Sequence, residues 1–288
     1  MSDGETLRCA CAQIDHDRRA TGSLLERHRE AIAEARDRRV DLLVFPETSL
    51  TGYPQTTEEV RTSALWSDGA VLRDLALLGG PMTVVVGFVE RGPAGLFYNS
   101  IAWLRDGQIL AVQRKINLPT YGALEEGKLF AEGTSLSPVD LDRTWRCAGL
   151  ICADFWNPGL LCLTALRHPT VLAMPIASTR EAVGGGFSNE NGWDLACRYG
   201  AMIYGLPTLR CNWTGHLGSL TFWGNSAIYG PEGEELARGD GGESLIEATL
   251  SLEGVVIARQ RLPTARTSNP TLLARELSKV AQEGSFSK

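Results

Sequence analysis

Short apolar runs that alternate with longer stretches of helical periodicity constrain the fold of this chain more than any other feature. The short runs have the length of buried strands, and the longer stretches place apolar side chains on one face of a helix. We expect strands over residues 7–14, 41–45, 82–89, 96–104, 108–114, 146–152, 171–176, 207–212, 226–229, 235–238 and 245–259. The predicted helices cover residues 23–38, 65–78, 160–167, 193–204 and 271–282.

The alternation of strands with helices, together with several hairpins that contain no helix, predicts an α/β domain with mixed sheets. The order strand-helix-strand occurs early in the chain and returns, extended by a further helix and strand, in the second half. Two such halves stacked sheet on sheet predict a four-layer α-β-β-α sandwich. Since no linker or low-complexity segment divides the chain, we expect a single domain over residues 1–288, with a core from about 7 to 262 and a C-terminal tail from 263 to 288.

The composition argues against several classes of function. The net charge is −6 and no basic stretch is present, so we expect no nucleic-acid partner. No apolar run approaches the ~18 residues of a membrane span, and residues 1–9 lack the basic and apolar regions of a signal peptide. The seven cysteines include no CxxC pair, so neither a disulfide framework nor a zinc site is expected. We therefore expect a cytoplasmic protein without a metal or an organic cofactor.

Three reactive side chains follow predicted strands, namely Glu47 in FPET, Lys115 in RKINLP and Cys152 in GLICADFWNP. Taken singly, each has an ordinary explanation as a solvated acid, a charge at a sheet edge or a small core residue. Lysine is scarce, however, because only four of the 28 basic residues are lysines. Ligands collect at the carboxyl ends of strands in α/β folds. A glutamate, a lysine and a cysteine at one edge would supply a base, a positive charge and a nucleophile.

Longer patterns surround these three residues. They read LLVFPETSLTGYP, RKINLPTYGALEEGKLFAEG and GLICADFWNP, and GLPTLRCNWTG and FWGNSAIYGPEGEELA follow in the second half of the chain. On these motifs, in this order and spacing, the chain resembles the nitrilase superfamily of carbon–nitrogen hydrolases from about residue 7 to about residue 262. The resemblance implies the α-β-β-α sandwich and a catalytic triad of Glu47, Lys115 and Cys152.

The chemistry that the resemblance implies is acyl transfer to a thiol. Glu47 takes the proton of Cys152 as the sulfur attacks a carbonyl carbon. Lys115 and the backbone N–H of Ala153 stabilise the oxyanion of the tetrahedral intermediate. Glu47 then protonates the departing nitrogen, and water releases the acid from the thioester.

The resemblance also implies a second catalytic glutamate, which holds the lysine or the substrate nitrogen. Two acids compete for this role in YGALEEGKLF, and the family pattern places it on Glu126, with Glu125 as the alternative. The mechanism requires no histidine. The four histidines lie outside the matching motifs and are expected to be structural or surface residues: His16, His28, His168 and His216.

The residue after the nucleophile indicates the branch of the family. Ala153 stands where nitrile-hydrolysing relatives carry the tryptophan of Cys-Trp-Glu, so the resemblance implies an amidase or carbamoylase. We expect an amidohydrolase that cleaves a non-peptide C–N bond of a small linear amide or N-carbamoyl compound and releases ammonia or an amine. The alternative is an acyltransferase or amide-forming enzyme that uses the same thioester. A nitrilase and a non-catalytic binding relative are less favoured.

Five aromatic residues near the strand ends are candidates for the substrate pocket, with a core position as the alternative for each: Tyr53, Tyr121, Phe155, Trp156 and Phe187. Arg180 and Glu181 are either ligands for a charged substrate end or surface residues. The Gly-rich loop over residues 177–193 is expected to cover the pocket.

Two kinds of partner are expected. One is the small-molecule amide substrate. The other is a second copy of the chain, because relatives commonly form homodimers through helices near the nucleophile. The helix predicted over residues 160–167 and the tail over residues 263–288 are therefore candidates for the interface of a homodimer or higher homo-oligomer. We expect no membrane partner.

Overall fold

Two six-stranded sheets form the centre of the molecule in a computed structural model, which describes residues 5–17, 23–122 and 124–283. In spatial order, the first sheet consists of β14 (Ser244–Ser251), β1 (Thr6–Gln13), β2 (Leu42–Val44), β3 (Thr83–Arg91), β4 (Phe97–Arg105) and β5 (Gln108–Arg114). The second consists of β13 (Glu235–Arg238), β12 (Ala227–Tyr229), β9 (Thr208–Cys211), β8 (Val171–Pro175), β7 (Arg146–Gly149) and β6 (Val139–Asp140). A separate hairpin pairs β10 (Thr214–Leu217) with β11 (Leu220–Trp223).

The two sheets share one plan. Strands β1, β2 and β3 are parallel in the first sheet, as are β7, β8 and β9 in the second. Antiparallel strands extend each parallel group on both sides. The helices of the described chain are α1 (Leu24–Asp37), α2 (Thr57–Ser63), α3 (Ala70–Gly79), α4 (Pro158–Ala165), α5 (Asn189–Tyr204), α6 (Leu252–Arg261), α7 (Thr264–Thr267) and α8 (Pro270–Gln282). None of them combines the length and the apolar character that crossing a bilayer requires.

Buried apolar side chains divide the molecule into layers. Ile32 of α1 and Leu72 of α3 pack against one face of the first sheet, and Trp193 of α5 packs against one face of the second. The other two faces meet each other in a cluster that includes Trp103 and Cys147. The predicted α-β-β-α sandwich is therefore confirmed. All seven cysteines are free thiols, and most of them are buried.

Gly149, at the end of β7, allows the two sheets to approach closely beside the candidate nucleophile. A Cβ atom there would lie 2.5 Å from Cδ1 of Ile101 and 2.7 Å from the ring of Trp103. Any larger residue would therefore have to displace the side chains of Ile101 and Trp103 in the first sheet.

The helix predicted over residues 65–78 begins later, at Ala70. Leu65 instead joins a sheet edge, since its N–H donates to the carbonyl of Val89 and its carbonyl accepts from Arg91. A short helix that was not predicted, α2, precedes it. Its N-cap, Thr56, forms a capping box with Glu59, a signal that is present in the sequence.

The late strand predicted over residues 245–259 ends at Ser251, and the chain continues as α6. The side chain of Ser251 accepts a hydrogen bond from the N–H of Gly254 and so starts the helix. Two other helices begin earlier than predicted for the same reason. Asn157 caps α4, and Ser188 caps α5. The predicted strand over residues 146–152 ends at Gly149, and Cys152 lies in a 3₁₀ turn.

Candidate active site

The ends of strands from both sheets bring the predicted catalytic side chains together. Glu47 follows β2, Lys115 directly follows β5, and Cys152 follows β7. The Lys115 Nζ donates to Glu47 Oε1 at 2.6 Å, and both side chains are fully buried. Cys152 and Glu126 line one cavity beside this pair. Four groups that are far apart in the chain thus share one site.

The carboxylate of Glu47 has two different oxygens. Its Oε1 accepts hydrogen bonds from Lys115 and, at 2.7 Å, from Asn99 Nδ2. Its Oε2 is buried and has no hydrogen-bond partner among the described residues. The main chain of Glu47 is also held from the second half of the molecule, because Trp213 Nε1 donates to its carbonyl at 2.7 Å. The carboxylate is therefore fixed through one oxygen and free to accept a proton on the other.

The turn that presents Glu47 depends on a glycine in the neighbouring strand. Thr48 has a positive φ of 51°, so the chain turns sharply straight after the glutamate. Gly87 of β3 packs under this turn, where a Cβ atom would lie 2.3 Å from the Thr48 nitrogen and 2.5 Å from the Pro46 oxygen. Only glycine leaves room for the turn in this position.

Lys115 is held between two carboxylates. Its Nζ lies 2.8 Å from the Glu126 carboxylate, whose Oε1 also accepts a hydrogen bond of 2.8 Å from the Tyr53 hydroxyl. Burial opposes the charge on Lys115, but the charges of Glu126 and Glu47 outweigh it and hold the pKa of the ammonium well above its usual value. Burial raises the pKa of Glu126 to about 7, against the opposing effect of Lys115.

The structure separates the two adjacent acids that the sequence left as alternatives. Glu126 is 3% exposed and contacts Lys115. Glu125 is exposed and pairs with Lys128 at 2.7 Å. Glu126, and not Glu125, is therefore the acid that lies in the site.

Cys152 lies at a strained turn. Its φ is 47°, in the left-handed region that residues other than glycine seldom adopt. The carboxylate of Asp154 braces this turn, because Oδ2 accepts from the N–H of Ile151 at 3.2 Å while Oδ1 accepts from the N–H groups of Ile116 and Asn117 at 3.0 and 2.6 Å. The same carboxylate thus joins the nucleophile turn to the segment that carries the lysine.

The Cys152 thiol is not a preformed thiolate. Burial and the charge of Glu47 raise its pKa well above the usual value, and these effects outweigh the positive charge of Lys115. The thiol is therefore protonated at neutral pH and needs a base at the moment of attack.

The cavity at the site is narrow: the centre of a water molecule can occupy about 20 Å³ of it, and the space between its walls, with the open mouth included, is about 350 Å³. Of the predicted pocket aromatics, Tyr53, Tyr121 and Trp156 line it, as does Ala153. The prediction is wrong for Phe155, which is 4% exposed and packs in the core beside Trp193. It is also wrong for Phe187, which is 47% exposed, packs edge-on against Trp156 and does not line the cavity.

The Gly-rich loop forms one wall of the cavity through small and apolar side chains, among them Ala182 and Val183. Its two charged residues are engaged elsewhere. Arg180 pairs with Glu190 at 3.1 Å, and Glu181 accepts a hydrogen bond from the N–H of Thr221 at 2.9 Å. Both are therefore surface residues rather than ligands for a charged substrate end.

Comparison with known protein families matches residues 8–260 to the carbon-nitrogen hydrolase family. The chain belongs to this family. Carbon-nitrogen hydrolases cleave non-peptide C–N bonds or act on related amides, so the protein is an enzyme of that class. The matched residues include all four side chains of the candidate site.

Relatives within the carbon-nitrogen hydrolase family have several names. A glutamine-dependent NAD(+) synthetase of Thermotoga maritima is 32% identical over 243 residues, which are 81% of this chain but 40% of the synthetase. A protein of Pseudomonas protegens named "Hydrolase in pqqF 5'region" is 28% identical and is covered over 85% of its length. The crystal structure of a carbon-nitrogen hydrolase from Helicobacter pylori superposes with a TM-score of 0.80 at 23% identity, over 94% of this chain and 98% of that one. This likeness confirms the fold.

Sequence reasoning missed two residues that hold the carboxylate of Glu47 and its turn. Asn99 and its neighbour Ser100 are buried polar residues within the largely apolar strand β4, and this contrast was a usable signal. Trp213 gave no such signal, because a tryptophan after a strand is an ordinary core residue. A third contact was also missed. His16, expected to be structural or at the surface, is buried, and its Nε2 accepts a hydrogen bond from the N–H of Tyr53 at 3.0 Å.

Proposed function

We propose that this carbon-nitrogen hydrolase is a cysteine amidohydrolase that cleaves small linear amides or N-carbamoyl compounds through a thioester on Cys152. The observation that carries the proposal is the arrangement around Lys115. A buried ammonium is shared by Glu47 and Glu126, while Glu47 keeps one oxygen without a partner beside the cavity that contains the thiol. A nucleophile in the cavity wall, with a base and a cation buried behind it, suits attack on a carbonyl carbon.

In the first half of the reaction, the free Oε2 of Glu47 takes the thiol proton while Cys152 Sγ bonds to the carbonyl carbon. The carbonyl oxygen becomes an oxyanion, which Lys115 and the N–H of Ala153 stabilise. Glu47 then returns the proton to the nitrogen, the C–N bond breaks, and ammonia or an amine leaves the thioester behind. Proton transfer through one carboxylate accounts for a site in which the thiol starts protonated.

In the second half, water replaces the departed amine. Glu47 takes a proton from the water as its oxygen attacks the thioester carbon, and the acid leaves as the C–S bond breaks and the sulfur recovers the proton. Glu126 stays on Lys115 throughout and keeps the ammonium aimed at the reacting oxygen. An amine in the place of water would form a new amide, which is the acyltransferase alternative.

A second candidate is hydrolysis of the side-chain amide of glutamine. It is favoured by the relative of Thermotoga maritima that is named a glutamine-dependent NAD(+) synthetase. The chain spans only 40% of that synthetase, so this candidate concerns the release of ammonia and not its later use.

Ammonia and acid release test the proposal. Purified protein is incubated with short aliphatic amides, an N-carbamoyl amino acid and L-glutamine, and both products are measured. We expect equal amounts of ammonia and acid from at least one linear amide, or equal amounts of ammonia, carbon dioxide and free amino acid from the carbamoyl compound. Cys152→Ala and Glu47→Gln should each lose at least about a thousandfold in kcat. Glu126→Gln should also lose activity, whereas the matched variant Glu125→Gln should not.

Two outcomes would contradict this. Ammonia release that survives Cys152→Ala would exclude the thioester. Amide formation in preference to acid when an amine is added would identify the acyltransferase alternative.

A further inference from the structure

Ser178 contributes a hydroxyl of unusual character to the wall of the cavity. Its Oγ accepts hydrogen bonds from two indoles, Trp193 Nε1 at 3.0 Å and Trp223 Nε1 at 3.1 Å. A hydroxyl has two acceptor positions and one donor, so the indoles occupy both acceptor positions. The side chain is 4% exposed, lines the cavity, and donates to no acceptor among the described residues. Ser178 therefore offers the cavity a hydrogen-bond donor only.

Asn189 contributes the opposite character to the same cavity. Its Nδ2 donates to the carbonyls of Thr179 at 2.8 Å and Arg180 at 3.4 Å, which fixes the orientation of the amide. Its Oδ1 therefore faces away from those carbonyls and accepts no hydrogen bond from the described part of the chain. Asn189 is also 4% exposed and lines the cavity. The pocket thus holds a neutral donor and a neutral acceptor that the catalytic steps do not use.

We infer that the acyl part of the substrate carries a second, neutral polar group, a carboxamide or a hydroxyl, which accepts from Ser178 and donates to Asn189. The inference rests on the proposed amidohydrolase function and names its substrate class. A carboxylate in this place would be repelled by the Asn189 oxygen, because both are acceptors. An ammonium would be repelled by the Ser178 proton, because both are donors. A hydrocarbon would displace water from the Ser178 hydroxyl and the Asn189 oxygen without replacing its hydrogen bonds, which costs binding energy.

The remaining wall of the cavity is suited to a short carbon chain between the reacting amide and the second polar group of such a substrate. Leu124, Trp156 and Val183 line the cavity with apolar surface. The charged residues of the adjacent loop, Arg180 and Glu181, are engaged outside it. Selectivity between neutral, charged and apolar ends then depends on the Ser178 and Asn189 pair.

Three matched amides test this inference. Succinamide, succinamate and 4-methylpentanamide have the same shape but end in a carboxamide, a carboxylate and an isopropyl group. Their shorter and longer homologues, with L-glutamine, complete the panel. We expect kcat/KM to be about tenfold or more higher for the diamide than for either isostere at the best chain length.

Ser178→Ala separates substrate contact from structural support. Loss of one hydrogen bond to the substrate should lower kcat/KM for the diamide about tenfold. For the hydrocarbon amide, kcat/KM should stay within about threefold of the wild-type value. The same variant frees two indole N–H groups, so Trp223→Phe serves as the control. It removes one of those hydrogen bonds from a residue outside the cavity wall and should leave the ratio between the two amides unchanged.

The outcomes are distinguishable. The inference is overturned if the carboxylate or hydrocarbon amide is preferred at every chain length, or if L-glutamine exceeds the diamides. It is equally overturned if Ser178→Ala lowers kcat/KM for both amides by the same factor. The same holds if Trp223→Phe changes the ratio of the two kcat/KM values as much as Ser178→Ala does. If the wild-type protein hydrolyses none of the compounds, including the short aliphatic amides, the proposed function itself fails.

Discussion

The chemistry of the Lys115 cluster, which consists of Lys115, Glu47 and Glu126, depends on the charges of these three side chains. One buried cation faces two buried carboxylates, so the cluster has one negative charge in excess when all three groups are ionised. Burial penalises that excess, and the raised pKa of Glu126, about 7, is its consequence. The proton state of Glu126 therefore lies within reach of ordinary changes in pH.

The pH dependence of amide hydrolysis should show this group. Below about pH 7, Glu126 gains a proton and no longer attracts Lys115, so we expect kcat/KM to fall by up to about tenfold per unit of pH on the acid side. Activity is present above this pKa and is lost as the pH falls through it. Glu126→Gln should lower the plateau value of kcat/KM and remove its fall on the acid side. Glu125→Gln should keep both the plateau and the fall. A flat profile between acid and neutral pH, or a fall that persists in Glu126→Gln, would contradict the assignment.

Gly87→Ala tests the close contact under the Glu47 turn. The new Cβ atom would overlap the backbone of Pro46 and Thr48, so the turn must move. We expect a loss of about 2 kcal/mol in the free energy of unfolding, measured with urea, and a fall in kcat of the folded enzyme. Gly241→Ala is the matched control, because a Cβ atom there meets nothing within 4 Å, and it should be neutral in both measurements. Full activity of Gly87→Ala would show that the turn tolerates displacement.

Between elements, the geometry of the site depends on segments that lie outside regular strands and helices. The Cys152 turn and the segment after β5 have no strand pairing with each other, and Asp154 joins them through three backbone N–H groups. Asn117 adds a bond from its Nδ2 to the Ala153 carbonyl at 2.8 Å. This side-chain link sets the position of the nucleophile relative to the lysine.

Asp154→Ala should therefore impair catalysis as well as folding. It leaves three backbone N–H groups without an acceptor, so we expect the free energy of unfolding to fall by about 3 kcal/mol. Misplacement of the nucleophile should lower kcat about a hundredfold with a smaller change in KM. Asp142→Ala is the control, because Asp142 accepts from the N–H groups of Thr144 and Trp145 in a turn far from the site. If the two variants retain the same activity per folded molecule, Asp154 has no positioning role.

The whole molecule presents an apolar strip on its outer helices. Leu195 and Tyr199, one turn apart on α5, are 73% and 56% exposed, and Leu163 of the neighbouring α4 is 55% exposed. Helix α8 has no buried residue, and its leucines are also exposed. Residues 284–288 of the predicted tail lie outside the described part of the chain. Exposed apolar patches of this kind mark protein–protein contacts. The homodimer implied by the resemblance remains a prediction, and we predict that this strip forms its interface.

Sedimentation velocity at micromolar concentration should give twice the 31.2-kDa mass of one chain. The double variant Leu195→Lys, Tyr199→Lys should shift the protein to the monomer, because the dimer interface would bury two charges without partners. Leu77→Lys, at a leucine 67% exposed on α3 in the opposite helical layer, is the matched control and should leave the dimer intact. A wild-type monomer at this concentration would overturn the prediction, and a dimer that tolerates both lysines would place its interface elsewhere.

The sequence by itself determined the layers and the family, and it predicted the side chains that the structure brings together at the candidate site. Apolar periodicity is a local property of the chain, so the strands and most helices were predictable, and the motifs around Glu47, Lys115 and Cys152 were specific in combination. The errors fell where local signals compete, as at Ser251, where a cap turns a predicted strand into helix α6.

Only the tertiary structure decided how those residues are held. It placed Glu126 rather than Glu125 on the lysine, left one oxygen of Glu47 free, and removed Phe155 from the pocket. The bond from Trp213 to Glu47 spans 166 residues, and no local pattern predicts it. The physical reason is that burial and periodicity are encoded within each segment, whereas a hydrogen bond between distant segments exists only after the sheets and loops have packed.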